Sequence, residues 1–244
     1  NQWQLNTGGV NRCRLTDSGN LFITEMSENG PPLYAGKGGR IREYDWDGAL
    51  VWEHHDGNQH HDARRLPSGN TLYIAWDPFD GATAKRVRGG LPGTEKEGVI
   101  YGDSIREVTS DGKLVWEWGT REMEIENYPI CPLCPRAEFA HANTCSPLPN
   151  GDVLISFRVL NLLIIVDKET RKIKWERQDI AFGHQHDSHI LDNGNILVFC
   201  NGFHGRDVDM ASSVREFDPD NGEVIWEFKA KPMTSFFSAN ISGA

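Results

Sequence analysis

His141-Ala142-Asn143, Leu148-Pro149-Asn150-Gly151-Asp152, Ile155-Ser156-Phe157-Arg158, Val166-Asp167-Lys168-Glu169-Thr170 and Lys174-Trp175-Glu176 follow one another along residues 141–176. The stretch reads as a strand, a tight Asn-Gly turn, an apolar strand, an alternating strand with its own turn, and a closing strand carrying Trp-Glu. Glycine supplies the positive φ that tight hairpins need. The unit recurs. Leu66-Pro67-Ser68-Gly69-Asn70 and Leu191-Asp192-Asn193-Gly194-Asn195 repeat the first turn. Arg42 to Gly48 before Val51-Trp52-Glu53, Arg106 to Gly112 before Val115-Trp116-Glu117, and Arg215 to Gly222 before Ile225-Trp226-Glu227 repeat the second half. The tryptophans at 52, 116, 175 and 226 are spaced by 64, 59 and 51 residues. Four short strands per period of roughly 50 residues describe propeller blades, each burying its faces only against its neighbours. The expected fold is therefore all-β, a β-propeller of four-stranded blades.

Residues 1–244 are expected to form a single propeller domain. The intervals vary because of two rim-loop insertions, about 77–98 and 120–139, which lack periodicity and can cover a central site. Four Trp-Glu units are visible, and Phe236-Phe237-Ser238-Ala239-Asn240 resembles Phe139 to Asn143 as if opening a fifth. An open propeller would expose sheet faces and edges. The ring is thus expected to be incomplete, with further blades from a longer chain or another subunit.

Composition narrows the function. Asp and Glu number 35 against 25 Lys and Arg, a formal charge of −10, which argues against nucleic acid as a partner. No apolar run reaches the roughly 20 residues of a membrane-spanning helix, so no membrane span is expected. Cys131-Pro132-Leu133-Cys134 has metal or redox spacing, but no second such pair accompanies it. A loop disulfide or free thiols are the expectation, and neither metal nor cofactor is expected.

The histidines stand in register. Counting back from the turn glycine, His61, Asn143 and His186 lie at minus eight, and Gln59, His141 and His184 at minus ten. Residues two apart on a strand face the same side, so the blades bring these side chains towards one axis. Three roles are open on the residues alone. A metal site would draw on His61, His184 or His186 with Asp62 or Asp187. A structural network would only satisfy buried polar groups. Transfer of an anionic group would use Arg158, which the Asn150-Gly151 hairpin returns beside His141. Its forked guanidinium suits a sulfuryl or phosphoryl group.

The blade pattern, His141-Ala142-Asn143, Ser156-Phe157-Arg158 and Gln185-His186-Asp187 together resemble the bacterial arylsulfotransferase family, the PAPS-independent aryl-sulfate sulfotransferases. The resemblance runs from Asn11 to Asn240. It implies a six-bladed propeller in full, of which about four blades and part of another are present. It also implies sulfuryl transfer between phenolic compounds through a sulfohistidine. Carried over residue by residue, it gives His186 as nucleophile, His141 as acid/base at the phenolic oxygen, and Arg158, Asn143 and His61 as substrate-binding residues. The implied partners are a small aromatic sulfate donor and a phenolic acceptor, and the implied location is periplasmic or extracellular. The small N-terminal β domain of the family is not found in this sequence. The alternatives are a non-catalytic binding propeller and a metal-dependent propeller enzyme using the same histidines.

Overall fold

The computed structural model describes residues 9–204 and 211–244. Its strands form four four-stranded antiparallel sheets, each a meander in chain order, arranged as a propeller. The first holds β1 (Val10–Leu15), β2 (Leu21–Met26), β3 (Gly39–Tyr44) and β4 (Leu50–His55). The second starts with β5 (Gln59–Arg65) and β6 (Thr71–Pro78). A short helix, α1 (Gly81–Arg86), and strand β7 (Gly89–Leu91) intervene before β8 (Tyr101–Val108) and β9 (Leu114–Gly119) complete it. Strand β10 (Ile130–Pro135) lies outside the four sheets. The third sheet holds β11 (Ala142–Pro147), β12 (Val153–Phe157), β13 (Leu162–Val166) and β14 (Ile173–Gln178). The fourth holds β15 (His186–Ile190), β16 (Ile196–Cys200), β17 (Ser213–Phe217) and β18 (Val224–Lys229).

The turn between the first two strands has one geometry in all four sheets. The amides of Gly19, Gly69, Gly151 and Gly194 donate to the carbonyls three residues back at 2.9 Å, each glycine with φ between 83° and 92°. An L side chain is strained in that region, which explains the recurring glycine. Sheet packs on sheet through apolar layers. Phe22, Ile41, Tyr73 and Val108 join the first to the second. Ile74, Ile105, Trp118, Cys145, Ile155, Phe157 and Ile164 join the second to the third. Leu154, Leu163, Phe182, Val198 and Phe217 join the third to the fourth. The third sheet is covered on both faces, and every residue of β12 and β13 is buried. Fully burying a Phe or Leu side chain contributes about 1.5–3 kcal/mol, so these layers dominate the fold's stability.

The recurring Trp has a second bond. The indole N–H of Trp52 donates to the Ser110 carbonyl at 2.7 Å, that of Trp116 to Lys168 at 2.9 Å, and that of Trp175 to Pro219 at 2.9 Å. Each acceptor lies in the last hairpin of the next sheet. Trp226 makes no such bond among the described residues. It is half exposed beside Val224, Ile225 and Phe228 on β18. Residues 230–244, where a fifth unit is expected to open, hold a one-turn 3-10 helix (Met233–Phe236) and no strand. The Ser238 carbonyl there accepts from Asn201 Nδ2 at 2.8 Å.

Two inter-strand segments meet on one side of the sheets. Strands β7 and β10 pair in parallel, and Arg136 binds Glu95 at 2.7 Å. A Cβ on Gly89 would lie 2.2 Å from the Ile130 carbonyl oxygen, so the pairing needs glycine there. No helix among the described residues is long and apolar enough to cross a membrane.

Candidate functional site

Strands β1, β5, β11 and β15 are the innermost of their sheets, and β11 touches both β5 and β15 while β1 touches β5. Each carries a bulge six to eight residues before its turn glycine. The register shifts between Val10 and Arg12, His60 and Ala63, Ala142 and Thr144, and His186 and His189. A bulge inserts an unpaired residue and re-aims its side chain. Here it lies at or beside the minus-eight position, where His61, Asn143 and His186 stand. His61 has φ 51° and His141 φ 56°. Such values are uncommon for residues other than glycine and collect at functional sites.

His61, Asn143 and His186 line one cavity of about 610 Å³, with Arg12, Gly36, Val10, Ser238, Ile241 and Ser242. The minus-eight residues therefore do converge. Gly36 allows the packing, since a Cβ there would lie 2.2 Å from Cε1 of His61. The His61 ring meets the His141 ring edge-on, with centroids 4.7 Å apart. On its other side, His61 Nδ1 is 2.7 Å from His60 Nδ1. Burial, reinforced by His141, His60 and His186, pushes His61 well below the usual histidine range.

The ring of His186 has a defined tautomer. Asn201 Nδ2 donates to the Ser238 carbonyl, so Asn201 Oδ1 is the atom that faces His186 Nδ1 at 2.8 Å. An amide oxygen only accepts, and Nδ1 must therefore carry the proton. Nε2 keeps the lone pair. Burial brings His186 down to about 4, with Arg158 and His141 adding to the shift against the opposing Asn201 bond, so the ring is neutral near pH 7.

His141 has a carboxylate partner. Its Nδ1 lies 2.8 Å from Glu138 Oε2, while Glu138 Oε1 accepts the Trp76 indole N–H at 2.9 Å. Burial raises Glu138, but His141 outweighs it and holds the carboxyl at about 2. Asn143 Nδ2 donates to the Gln185 carbonyl at 2.8 Å, which ties β11 to the residue before His186. The Arg158 amide donates to the His141 carbonyl at 3.1 Å, as the hairpin requires. Its guanidinium reaches Asn240 Oδ1 at 3.4 Å and the Cys134 thiol. The guanidinium lining the cavity itself is that of Arg12.

Three features escape the sequence reading. The first is a fourth turn, Thr16-Asp17-Ser18-Gly19-Asn20, which has the same geometry but no histidine ahead of it. It puts Arg12 at minus seven, level with Asp62 and Asp187. These form an ion cluster, with Arg12 Nη2 3.0 Å from Asp187 Oδ1 and Arg12 Nε 3.4 Å from Asp62 Oδ1. Burial would raise Asp62, but Arg64, Arg12 and Arg14 outweigh it and hold the carboxyl at about 2. The second is the Glu138 and Asn201 pair that orients the two histidines.

The third is the surroundings of His184. It turns to Cys134 Sγ, 3.8 Å from its Nε2, and to His204, whose ring centroid is 4.9 Å away. The metal set drawn from sequence is not assembled, because Asp62 is spent on arginines and His186 on Asn201. Among the described residues the group with ligand spacing is Cys131, Cys134, His184 and His204. All five cysteines are free thiols, so Cys131 and Cys134 are not joined in a disulfide.

A family model described as arylsulfotransferase (ASST) matches residues 92–239, a stretch that holds His141, Asn143, Arg158 and His186. No curated protein matches significantly. Among solved structures, a protein of unknown function from Bacteroides caccae is similar with a TM-score of 0.53 at 14% identity, over 94% of this chain and 64% of that one. A catalytically inactive virginiamycin B lyase from Staphylococcus aureus, solved with quinupristin, is similar with a TM-score of 0.53 at 12% identity, over 93% of this chain and 58% of that one. At such identities the likeness concerns the fold alone, and the chain spans less than two thirds of either structure.

Proposed function

Since the chain belongs to the arylsulfotransferase (ASST) family, we propose that it moves a sulfuryl group from an aryl sulfate to a phenol through a sulfohistidine at His186. The observation that carries this reading is the tautomer of His186. Its Nδ1–H is committed to Asn201, and the ring lines the cavity with an unprotonated Nε2. A neutral imidazole held this way is a nucleophile that needs no prior deprotonation.

In the first step the Nε2 lone pair attacks the sulfur of ArO–SO₃⁻. The N–S bond forms, the S–OAr bond breaks, and the departing phenolate takes a proton from His141. Glu138, 2.8 Å from its Nδ1, holds the His141 ring that supplies this proton. In the second step an acceptor phenol gives its proton to His141 and attacks the same sulfur. The new O–S bond forms, the N–S bond breaks, and His186 regains its lone pair. Arg12 and Arg158 offer positive charge to the sulfuryl oxygens, and Asn143 and His61 line the space around them.

The test is intact mass after incubation with 4-nitrophenyl sulfate, with and without a phenol. The expected result is one added sulfuryl group that maps to His186, leaves on addition of phenol, and never forms in His186→Ala. Transfer at full rate by His186→Ala would overturn the reading. An absence of any adduct or transfer with several donors would favour a binding propeller.

A further inference from the structure

Four ligand-type side chains meet beside the candidate site, drawn from three separate parts of the chain. Cys131 and Cys134 stand on β10, His184 in the turn entering β15, and His204 in the loop after β16. One ligand atom from each lies within 4.8 Å of all the others. Cys131 Sγ is 3.6 Å from His204 Nδ1, and Cys134 Sγ is 3.8 Å from both His184 Nε2 and His204 Nδ1.

Hydrogen bonding is a poor account of this grouping. A thiol is a weak donor and a weak acceptor. His184 is fully buried, yet its Nε2 meets only sulfur and its Nδ1 has no partner among the described residues. Leaving a buried polar group so placed is unfavourable. Both histidines also hold left-handed backbone, φ 66° at His184 and 56° at His204, conformations that need a compensating interaction. A tetrahedral metal supplies one. With Zn–S near 2.3 Å and Zn–N near 2.0–2.1 Å, adjacent sulfur and nitrogen ligands stand about 3.6 Å apart and two sulfurs about 3.8 Å. The observed sulfur–nitrogen distances of 3.6 and 3.8 Å lie within about 0.2 Å of the first value.

We propose that Cys131, Cys134, His184 and His204 bind one zinc ion. Two thiolates with two imidazoles select zinc over the hard, oxygen-seeking cations. Four protein ligands fill the tetrahedron, so the ion has no open position and its role is structural. It clamps β10 to the segment that ends in His186, two residues beyond His184. Arg158, bonded to Cys134, adds a cationic donor to a coordinating sulfur. Binding releases the protons of both thiols. None of its four ligand atoms belongs to a group assigned to sulfuryl transfer, so it stands whether or not that transfer occurs.

Elemental analysis of the full chain, purified without chelator from zinc-supplemented medium, tests the site directly. One zinc per chain is expected, with Cys131 and Cys134 unreactive until a chelator is added. Cobalt exchanged into the protein should give a thiolate-to-cobalt charge-transfer band and the intense visible bands of tetrahedral geometry. Cys131→Ser with Cys134→Ser should abolish retention. His204→Ala, in a partly exposed loop, should keep the circular dichroism of the parent while losing zinc to a chelator at least tenfold more readily. Cys13→Ser, at an exposed thiol on β1, should keep the full zinc content. Zinc-free protein with Cys131 and Cys134 both reactive, a Cys131–Cys134 disulfide in the protein as purified, or zinc retained by the double serine variant would each overturn the assignment.

Discussion

His141 and His184 occupy the same register position, ten residues before a turn glycine, and both take left-handed backbone ahead of an innermost strand. Their surroundings differ entirely. His141 meets a carboxylate and the edge of His61. His184 meets a thiol and a second imidazole that sits against sulfur. One segment makes the difference, because Glu138 and the two cysteines all lie within residues 131–138. The repeat delivers an imidazole to a defined place, and a neighbouring segment decides whether it handles a proton or faces a metal-type cluster. Repetition sets position and irregularity sets chemistry.

The comparison breaks most visibly at His141. His141→Ala should slow transfer about 10²–10⁴-fold with donors whose phenol is a poor leaving group, and much less with 4-nitrophenyl sulfate, whose phenolate leaves without a proton. Equal losses across a donor series in steady-state rates would remove the acid/base role. Three positions further along the strands, at minus seven, lies the Arg12, Asp62 and Asp187 cluster. Asp62 is fully buried and held at about 2, below its unfolded value of 3.8. Its contribution, about 2 kcal/mol, is present above pH ~4 and lost as pH falls through ~2. Denaturant melts from pH 7 downward should show that acid limb, and Asp62→Asn should flatten it while lowering stability at pH 7.

A finer change probes only the carboxylate. Glu138→Gln keeps the hydrogen-bond length but removes the charge beside His141. It should lower kcat about tenfold, near 1.4 kcal/mol, with little change in KM. An unchanged kcat would reduce Glu138 to a packing role. The smallest effect belongs to the sheet junctions. Trp52→Phe should cost about 1 kcal/mol for the lost indole bond, whereas Trp226→Phe should stay within about 0.5 kcal/mol. Thermal melts of the pair compare a bonded indole with one that makes no such bond.

The blades were legible because turn glycine and Trp recur with obligatory geometry, one through positive φ and the other through the indole bond to the next sheet. His61, Asn143 and His186 were legible for the same reason, since register along a strand fixes which face a side chain takes. The bulges that turn these residues inward leave no composition signal. Neither do Glu138, Asn201 and His204, which reach the histidines from loops where no period links one residue to its partner. The Gly19 turn could have been found from Ser18-Gly19-Asn20. It carries no histidine to draw attention, yet it brings Arg12 into the cavity. Cys131-Pro132-Leu133-Cys134 announced a ligand pair, but its completion by His184 and His204 depends on where two loops distant in sequence meet β10.

The indole bonds turn the sheet order into a readable sequence of melting events. Each of Trp52, Trp116 and Trp175 bridges one boundary between consecutive sheets, so its ring proton exchanges with solvent only when that boundary opens. Three resonances would follow three seams separately in one spectrum. Trp226, exchanging freely, would serve as the internal clock against which the others are timed.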